Sequence, residues 1–189
     1  MSRTKLILLG TGTPNAEPWA SGPAVAVTVD DKAYLVDFGA GVVRQCTKAF
    51  SMGIEQLNPR NLTVAFCTHL HSDHTTGLAD LIFTPWVLTR NEPLKIYGPK
   101  GMKHMVDCIS DAYKVDVDFR LHGDEQGNEN GYKTDVTEIY NGYVYKDELV
   151  TVEAFTALHG TLECYSFKFT TPDKVIVISG DTCPTQLMV

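Results

Sequence analysis

The chain has 189 residues, about the length of one domain and enough to bury a sizeable core. Apolar residues make up 43% and charged residues 21%, which excludes a disordered, collagenous or coiled-coil chain. Sixteen Lys and Arg against 23 Asp and Glu give a net charge of −7, so nucleic-acid binding through bulk positive charge is excluded, although a local basic groove is not.

At the N-terminus, Arg3 and Lys5 stand before Leu6-Ile7-Leu8-Leu9. Four apolar residues are too few for a signal-peptide core of about 7–15. No run elsewhere approaches the roughly 18 residues that span a bilayer. The expectation is a buried strand at Leu6–Leu9 in a cytoplasmic protein with no membrane partner. That strand runs into the tight loop Gly10-Thr-Gly-Thr-Pro14. Ala24–Val29 and Ala33–Val36 read as strands joined by the turn Asp30-Asp31-Lys32. Val42, Val43, Cys46, Ala49 and Phe50 recur at helical spacing, predicting an amphipathic helix over 41–52.

Leu62–Cys67 reads as a buried strand ending at Thr68-His69. Leu78–Phe83 starts a helix that Pro85 is expected to end or kink. Leu94–Tyr97 is a short strand, and Pro99 suits the first turn of a helix carrying Met102, Met105, Val106, Ile109, Ala112 and Tyr113 on one face. Gly123–Gly131 (GDEQGNENG) is polar, acidic and Gly-rich, so it reads as a mobile surface excursion. Strands follow at Val150–Ala157, Cys164–Thr170 and Val175–Ser179, with a turn at Thr171-Pro-Asp173. Helices and strands alternate early and strands dominate late, which points to an α/β or α+β sandwich of helix-covered sheets.

Cys46, Cys67, Cys108, Cys164 and Cys183 are odd in number, widely spaced and free of any CxxC pair, so they read as free thiols. His104 and His122 read as solvated or lightly packed side chains. Trp19 and Trp86 suit a cleft border or simple packing.

Chemistry concentrates in Thr68-His69-Leu70-His71-Ser72-Asp73-His74, where three histidines and an aspartate fall within six residues after an apolar strand. An irregular loop can turn all four side chains toward one point, whereas a regular strand would alternate them. Neutral imidazole and carboxylate suit Zn²⁺ and related divalent ions. His69 and His71 could share one ion, and Asp73 and His74 could serve a second.

This HxHxDH pattern resembles the signature of the metallo-β-lactamase superfamily. Leu9-Gly-Thr-Gly-Thr-Pro14 is similar to the N-terminal loop of its ribonuclease Z-like branch, and Val36-Asp37-Phe-Gly-Ala-Gly41 to the superfamily's first motif. His159 in Ala-Leu-His-Gly160 and Asp181 in Ser-Gly-Asp-Thr182 are similar to its later ligands. The resemblance implies a four-layer αββα sandwich in which His69, His71 and His159 hold one metal and Asp73 and His74 another, with Asp181 bridging. The cofactor would be Zn²⁺, two per chain, with Mn²⁺ or Fe also fitting a His/Asp site. A metal-bound hydroxide would then attack the substrate, and Asp73 would help orient it. Asp37 would hold the ligand loop through hydrogen bonds, although a carboxylate there could also favour the amides of Gly39–Val43.

The chain also departs from the family pattern. It stops at Val189, eight residues after Asp181, and no histidine follows His159, whereas the family's dinuclear site takes one more. The expectation is one domain over 1–189 whose sandwich is C-terminally incomplete, with a weaker second metal site. The stretch between His159 and Asp181 is a hairpin's length, too short for the arm that clamps transfer RNA. The acidic Gly123–Gly131 loop would repel phosphates. These features favour a hydrolase of a small phosphodiester over a transfer-RNA endonuclease. The alternatives are an arylsulfatase-type hydrolase, a non-catalytic metal-binding or interaction module, and a fragment of an enzyme. A homodimer is plausible by the resemblance.

Overall fold

The apolar runs within residues 4–36 fold as a meander. The computed structural model describes residues 3–185. β1 (Thr4–Gly10), β2 (Ala24–Val29) and β3 (Lys32–Val36) pair antiparallel. Asp30 takes the left-handed conformation that the tight β2–β3 link requires, with φ 49°. β4 (Val64–Phe66), β5 (Leu94–Gly98) and β6 (Thr134–Glu138) then extend the sheet in parallel, giving the order β1-β2-β3-β4-β5-β6. Parallel pairing needs crossovers. They carry α1 (Val42–Ser51), the single turn α2 (Ser72–Thr75), α3 (Leu78–Val87), α4 (Met102–Ala112) and α5 (Lys114–His122). A second, antiparallel sheet follows, from β7 (Gly142–Lys146), β8 (Thr151–Thr156), β9 (Tyr165–Thr170) and β10 (Val175–Ile178), in the order β10-β9-β8-β7.

Alternation along the strands separates two cores. Leu35, Ala65 and Ile96 face the helices and pack with Val42, Cys46, Leu81 and Val106. Tyr34, Val36 and Phe66 point the other way and meet Val152, Phe167 and Phe169 of the second sheet. Phe66 is central to this inter-sheet core, with its ring 5.3 Å from Phe167 and 5.4 Å from Phe169. Truncating it should cost about 3–5 kcal/mol, the usual range for a buried Phe→Ala change. Urea denaturation of Phe66→Ala measures this, and a loss under 1 kcal/mol would mean that the sheets do not depend on that ring.

The layers are therefore helices, first sheet, second sheet. The outer face of the second sheet carries a Glu153–Lys168 ion pair and exposed Tyr143, Val175 and Val177. The described residues form a mixed α/β sandwich with one helical layer, three of the four layers expected. No helix among the described residues is long and apolar enough to cross a membrane.

Several local expectations change. The helix expected over 41–52 is observed at Val42–Ser51. Pro85 neither ends nor breaks α3, which continues to Val87. A proline removes one helical N–H and orphans the carbonyl four residues back, here that of Leu81. The Leu81 carbonyl instead accepts Arg90 Nη1 at 3.1 Å.

The Gly123–Gly131 loop is anchored rather than mobile at its end. The Gly131 carbonyl accepts from Arg90, the Asn128 carbonyl accepts Trp86 Nε1, and Asn128 Nδ2 donates to the Arg90 carbonyl. α5, β6 and β7 have no counterpart in the sequence reading. Cys46, Cys67 and Cys164 are buried, Cys108 and Cys183 are exposed, and all are free thiols.

Candidate metal centre

Because β3 and β4 are parallel, their C-terminal ends lie side by side, and each releases chain into the same space. After β3 comes Asp37, held at φ 60° with its N–H bonded to the Phe66 carbonyl at 2.8 Å. After β4 come Thr68 and His69, both fully buried. The chain then leaves strand geometry. His71 is extended (φ −64°, ψ 147°) and starts α2, so His71, Asp73 and His74 reach the site from a turn instead of alternating across a sheet.

Two more segments close the site. His159 lies beyond β8 in a loop pinned by a bridge to Leu162, and Asp181 lies beyond β10 after Ser179-Gly180. Gly180 has φ 61°, and a Cβ there would lie 2.8 Å from Thr68 Cβ, so both conformation and space demand glycine.

Four donor atoms, one each from His69, His71, His159 and Asp181, lie within 4.8 Å of one another. His71 Nδ1 is 3.0 Å from His69 Nε2 and 3.2 Å from His159 Nε2. Asp181 faces two ways. Its Oδ2 is 4.0 Å from His159 Nε2, and its Oδ1 is 3.4 Å from His74 Nε2. Asp73 Oδ2 is 3.7 Å from the same His74 nitrogen. The structure thus gathers every candidate ligand into one centre with two sides, His69–His71–His159 and Asp73–His74, and Asp181 between them.

Asp37 does not cap α1, whose N-cap is Gly41 without a side-chain bond. Its carboxylate accepts from the Thr68 N–H at 2.8 Å, the Thr68 hydroxyl at 2.9 Å and His74 Nδ1 at 2.8 Å. These bonds tie the loop after β3 to the loop after β4 and to His74. Thr68 had no assigned role in the sequence. Its only signal there is a hydroxyl residue directly before the first histidine.

Electrostatics follow from burial and crowding. Burial and the neighbouring His74 and His71 rings lower the pKa of His69 to about 4, so it is neutral at physiological pH. Burial also opposes the charged form of His74, but Asp37, Asp181 and Asp73 outweigh it and the net shift is upward. Burial pushes the Asp37 carboxyl up, against the pull of His74 and Thr68.

The donor set fits a divalent metal. An unprotonated ring nitrogen is only an acceptor, and a carboxylate likewise, so their convergence asks for a shared cation. Imidazole and carboxylate are the ligands that zinc and its neighbours take.

His104 and His122 are exposed and stand apart from this cluster. Trp86 is core, whereas Trp19 is 81% exposed. Beside Asp73 lies a cavity of about 370 Å³, bordered by Thr13, Asn15, Glu17, Ser72 and Thr76. The acidic Gly123–Gly131 loop is not near it. That loop joins Arg90, before β5, at the end of the sheet opposite His69. The electrostatic case against a nucleic-acid substrate therefore loses its main support.

Comparison with known proteins gives the same picture. A ribonuclease Z from Mycobacterium sp. (strain KMS) is 31% identical over 185 residues, which cover 95% of this chain and 62% of that protein. One from Mycolicibacterium gilvum is 30% identical over 187 residues, covering 96% and 63%. The chain thus spans just under two thirds of the length of these curated relatives. Among solved structures, the short form of human tRNase Z superposes with a TM-score of 0.72 at 25% identity, covering 93% of this chain and 68% of that one. The metallo-beta-lactamase fold protein YhfI from Bacillus subtilis gives 0.69 at 16% identity, covering 97% and 64%. The model of the metallo-beta-lactamase superfamily matches residues 18–186, across the HxHxDH turn, His159 and Asp181, and the chain belongs to that superfamily.

Proposed function

We propose that this protein is a metal-dependent hydrolase of phosphodiesters, of the ribonuclease Z type. The observation that carries the reading is the convergence of His69, His71, His159 and Asp181, from three separate segments, on a space that fits one cation. Relatives named ribonuclease Z at about 30% identity support the phosphodiester as the bond attacked.

Zinc is the metal proposed on ligand chemistry. His69, His71, His159 and Asp181 would hold the first ion, and Asp73, His74 and Asp181 a second. A divalent ion in such a centre supplies Lewis acidity toward a phosphoryl oxygen and lowers the pKa of water. The remaining roles belong to the chain. Asp37 fixes His74 with its Nδ1 proton turned away from the site. Asp73, half-buried at the edge of the cavity, accepts a proton or orients a water beside His74. Thr13, Asn15, Ser72 and Thr76 offer hydroxyl and amide groups to substrate. No described residue lining that cavity is Lys or Arg, so recognition there works by hydrogen bonds rather than side-chain cations. Four donors on one side against three on the other favour tighter binding of the first ion. By resemblance to the ribonuclease Z-like branch, a homodimer is part of this reading.

Hydrolysis of bis(p-nitrophenyl) phosphate, measured beside p-nitrophenyl sulfate, tests the function. Turnover of the phosphodiester that is lost with a chelator and restored by zinc is expected. Turnover of the sulfate ester alone would move the protein to the arylsulfatase alternative. No turnover of either ester by metal-loaded protein would favour a non-catalytic metal-binding module.

A further inference from the structure

Thr68 touches Asp37, His69 and the residue before Asp181. Its hydroxyl oxygen lies 2.9 Å from His69 Nδ1 and 2.9 and 3.0 Å from the two oxygens of Asp37. Its carbonyl accepts the Tyr165 N–H at 2.9 Å, tying the end of β4 to β9, and its side chain abuts Gly180, directly before Asp181. Nothing polar is wasted, since no buried side-chain nitrogen or oxygen among the described residues lacks a partner.

The same contacts can be given a direction by placing the protons. A hydroxyl has one hydrogen to donate and can accept as well. Asp37 already receives the Thr68 N–H and His74 Nδ1. In the arrangement inferred below, the Thr68 hydroxyl donates to Asp37 and accepts from His69 Nδ1. A neutral imidazole carries one proton on either nitrogen. Here it is placed on Nδ1, leaving the His69 Nε2 lone pair facing His71 and His159.

We infer that Thr68 is a positioning residue for the metal centre, relaying the Asp37 carboxylate to His69 so that one buried carboxylate sets the tautomers of two ligands on opposite sides. Asp37 acts on His74 directly and on His69 through the threonine hydroxyl. The contact with Gly180 places the same residue against the backbone that delivers Asp181. The inference rests on the metal-site reading above, and the two can fail separately.

The test compares zinc affinity of wild type, Thr68→Val and Thr68→Ser by competition with a chromophoric chelator. Valine keeps the shape but neither donates nor accepts, and serine keeps the hydroxyl. Thr68→Val should bind zinc about 10–100-fold more weakly, the usual effect of losing a partner that orients a metal-bound histidine. Thr68→Ser should stay close to wild type. Equal affinity of folded Thr68→Val and wild type would overturn the inference, whereas a wild type that binds no zinc would overturn the metal site itself. A second measurement does not depend on how the variants fold. In metal-free wild type labelled with ¹⁵N-histidine, long-range correlation spectra should show His69 protonated at Nδ1. Protonation at Nε2 would overturn the relay.

Discussion

His71→Ala is expected to abolish phosphodiester hydrolysis while leaving the fold intact. His71 Nδ1 stands between His69 Nε2 at 3.0 Å and His159 Nε2 at 3.2 Å, so its loss removes the middle donor of the cluster. The side chain is exposed and belongs to neither hydrophobic core. The His71 carbonyl that accepts the Thr75 hydroxyl and the His74 N–H is main chain and survives the change. A catalytic metal supplies several kcal/mol of transition-state stabilisation, and about 4 kcal/mol corresponds to about 10³ in rate. Turnover of bis(p-nitrophenyl) phosphate should fall by at least about that factor, with unchanged thermal unfolding of the metal-free protein. A variant that hydrolyses the ester at the wild-type rate would remove His71 from the centre.

Arg90→Met is expected to destabilise the fold as strongly as truncating Phe66, and it acts far from the metal centre. Arg90 has no exposed surface. Among the described residues its guanidinium finds no carboxylate and donates only to carbonyls, those of Gly131 at 2.7 Å, Ile82 at 2.7 Å, Leu62 at 2.9 Å and Leu81 at 3.1 Å. Burial lowers its pKa to about 10, so it is still charged at neutral pH. Those carbonyls belong to the lead-in to β4, to α3 at its proline-interrupted turn, and to the end of the acidic loop. One side chain thus completes the hydrogen bonding of three segments that no ladder joins. Methionine would fill much of the volume and would escape the cost of burying a charge. It would also take a donor from four carbonyls, of which Leu81, facing Pro85, has no helical N–H in its place, and each buried group left unsatisfied costs about 1–3 kcal/mol. The stranded carbonyls win, for a net loss of about 3–5 kcal/mol, as when one partner of a buried charged network is removed. Against a typical domain stability of about 5–15 kcal/mol, urea denaturation will register this clearly. A loss below 1 kcal/mol would show that Arg90 is a passenger.

The metal-binding turn was legible in the sequence because its signal is dense and local. Histidine and aspartate packed into His69–His74 have few other uses directly after an apolar strand. His159, Asp181 and Asp37 were reached only through family resemblance, since each is a single polar residue at a strand end. Three-dimensional convergence gives them meaning. Thr68 was invisible for the same reason, because a threonine closing a strand is ordinary until the neighbouring Asp37 and His69 are in place.

Other features were hidden because tertiary contacts overrode local pattern. An arginine is a surface residue by default, and nothing in Thr89-Arg90-Asn91 announces a buried one. Its bond to Leu81 also explains how α3 tolerates Pro85. In α5, Val115, Val117 and Phe119 alternate with Asp116, Asp118 and Arg120, a strand-like period, yet the segment is helical with an Arg120–Asp116 pair one turn apart. β6 is a strand mainly because it completes a parallel ladder with β5. The acidic loop was read from composition alone, which says nothing of where on the molecule it lies.

The most direct test of the metal centre is the metal content of protein purified without added metal, measured by plasma mass spectrometry and followed by zinc titration. At least one equivalent held per chain is expected, and its loss in His71→Ala. A folded wild-type chain that neither carries metal nor takes up zinc stoichiometrically would contradict it.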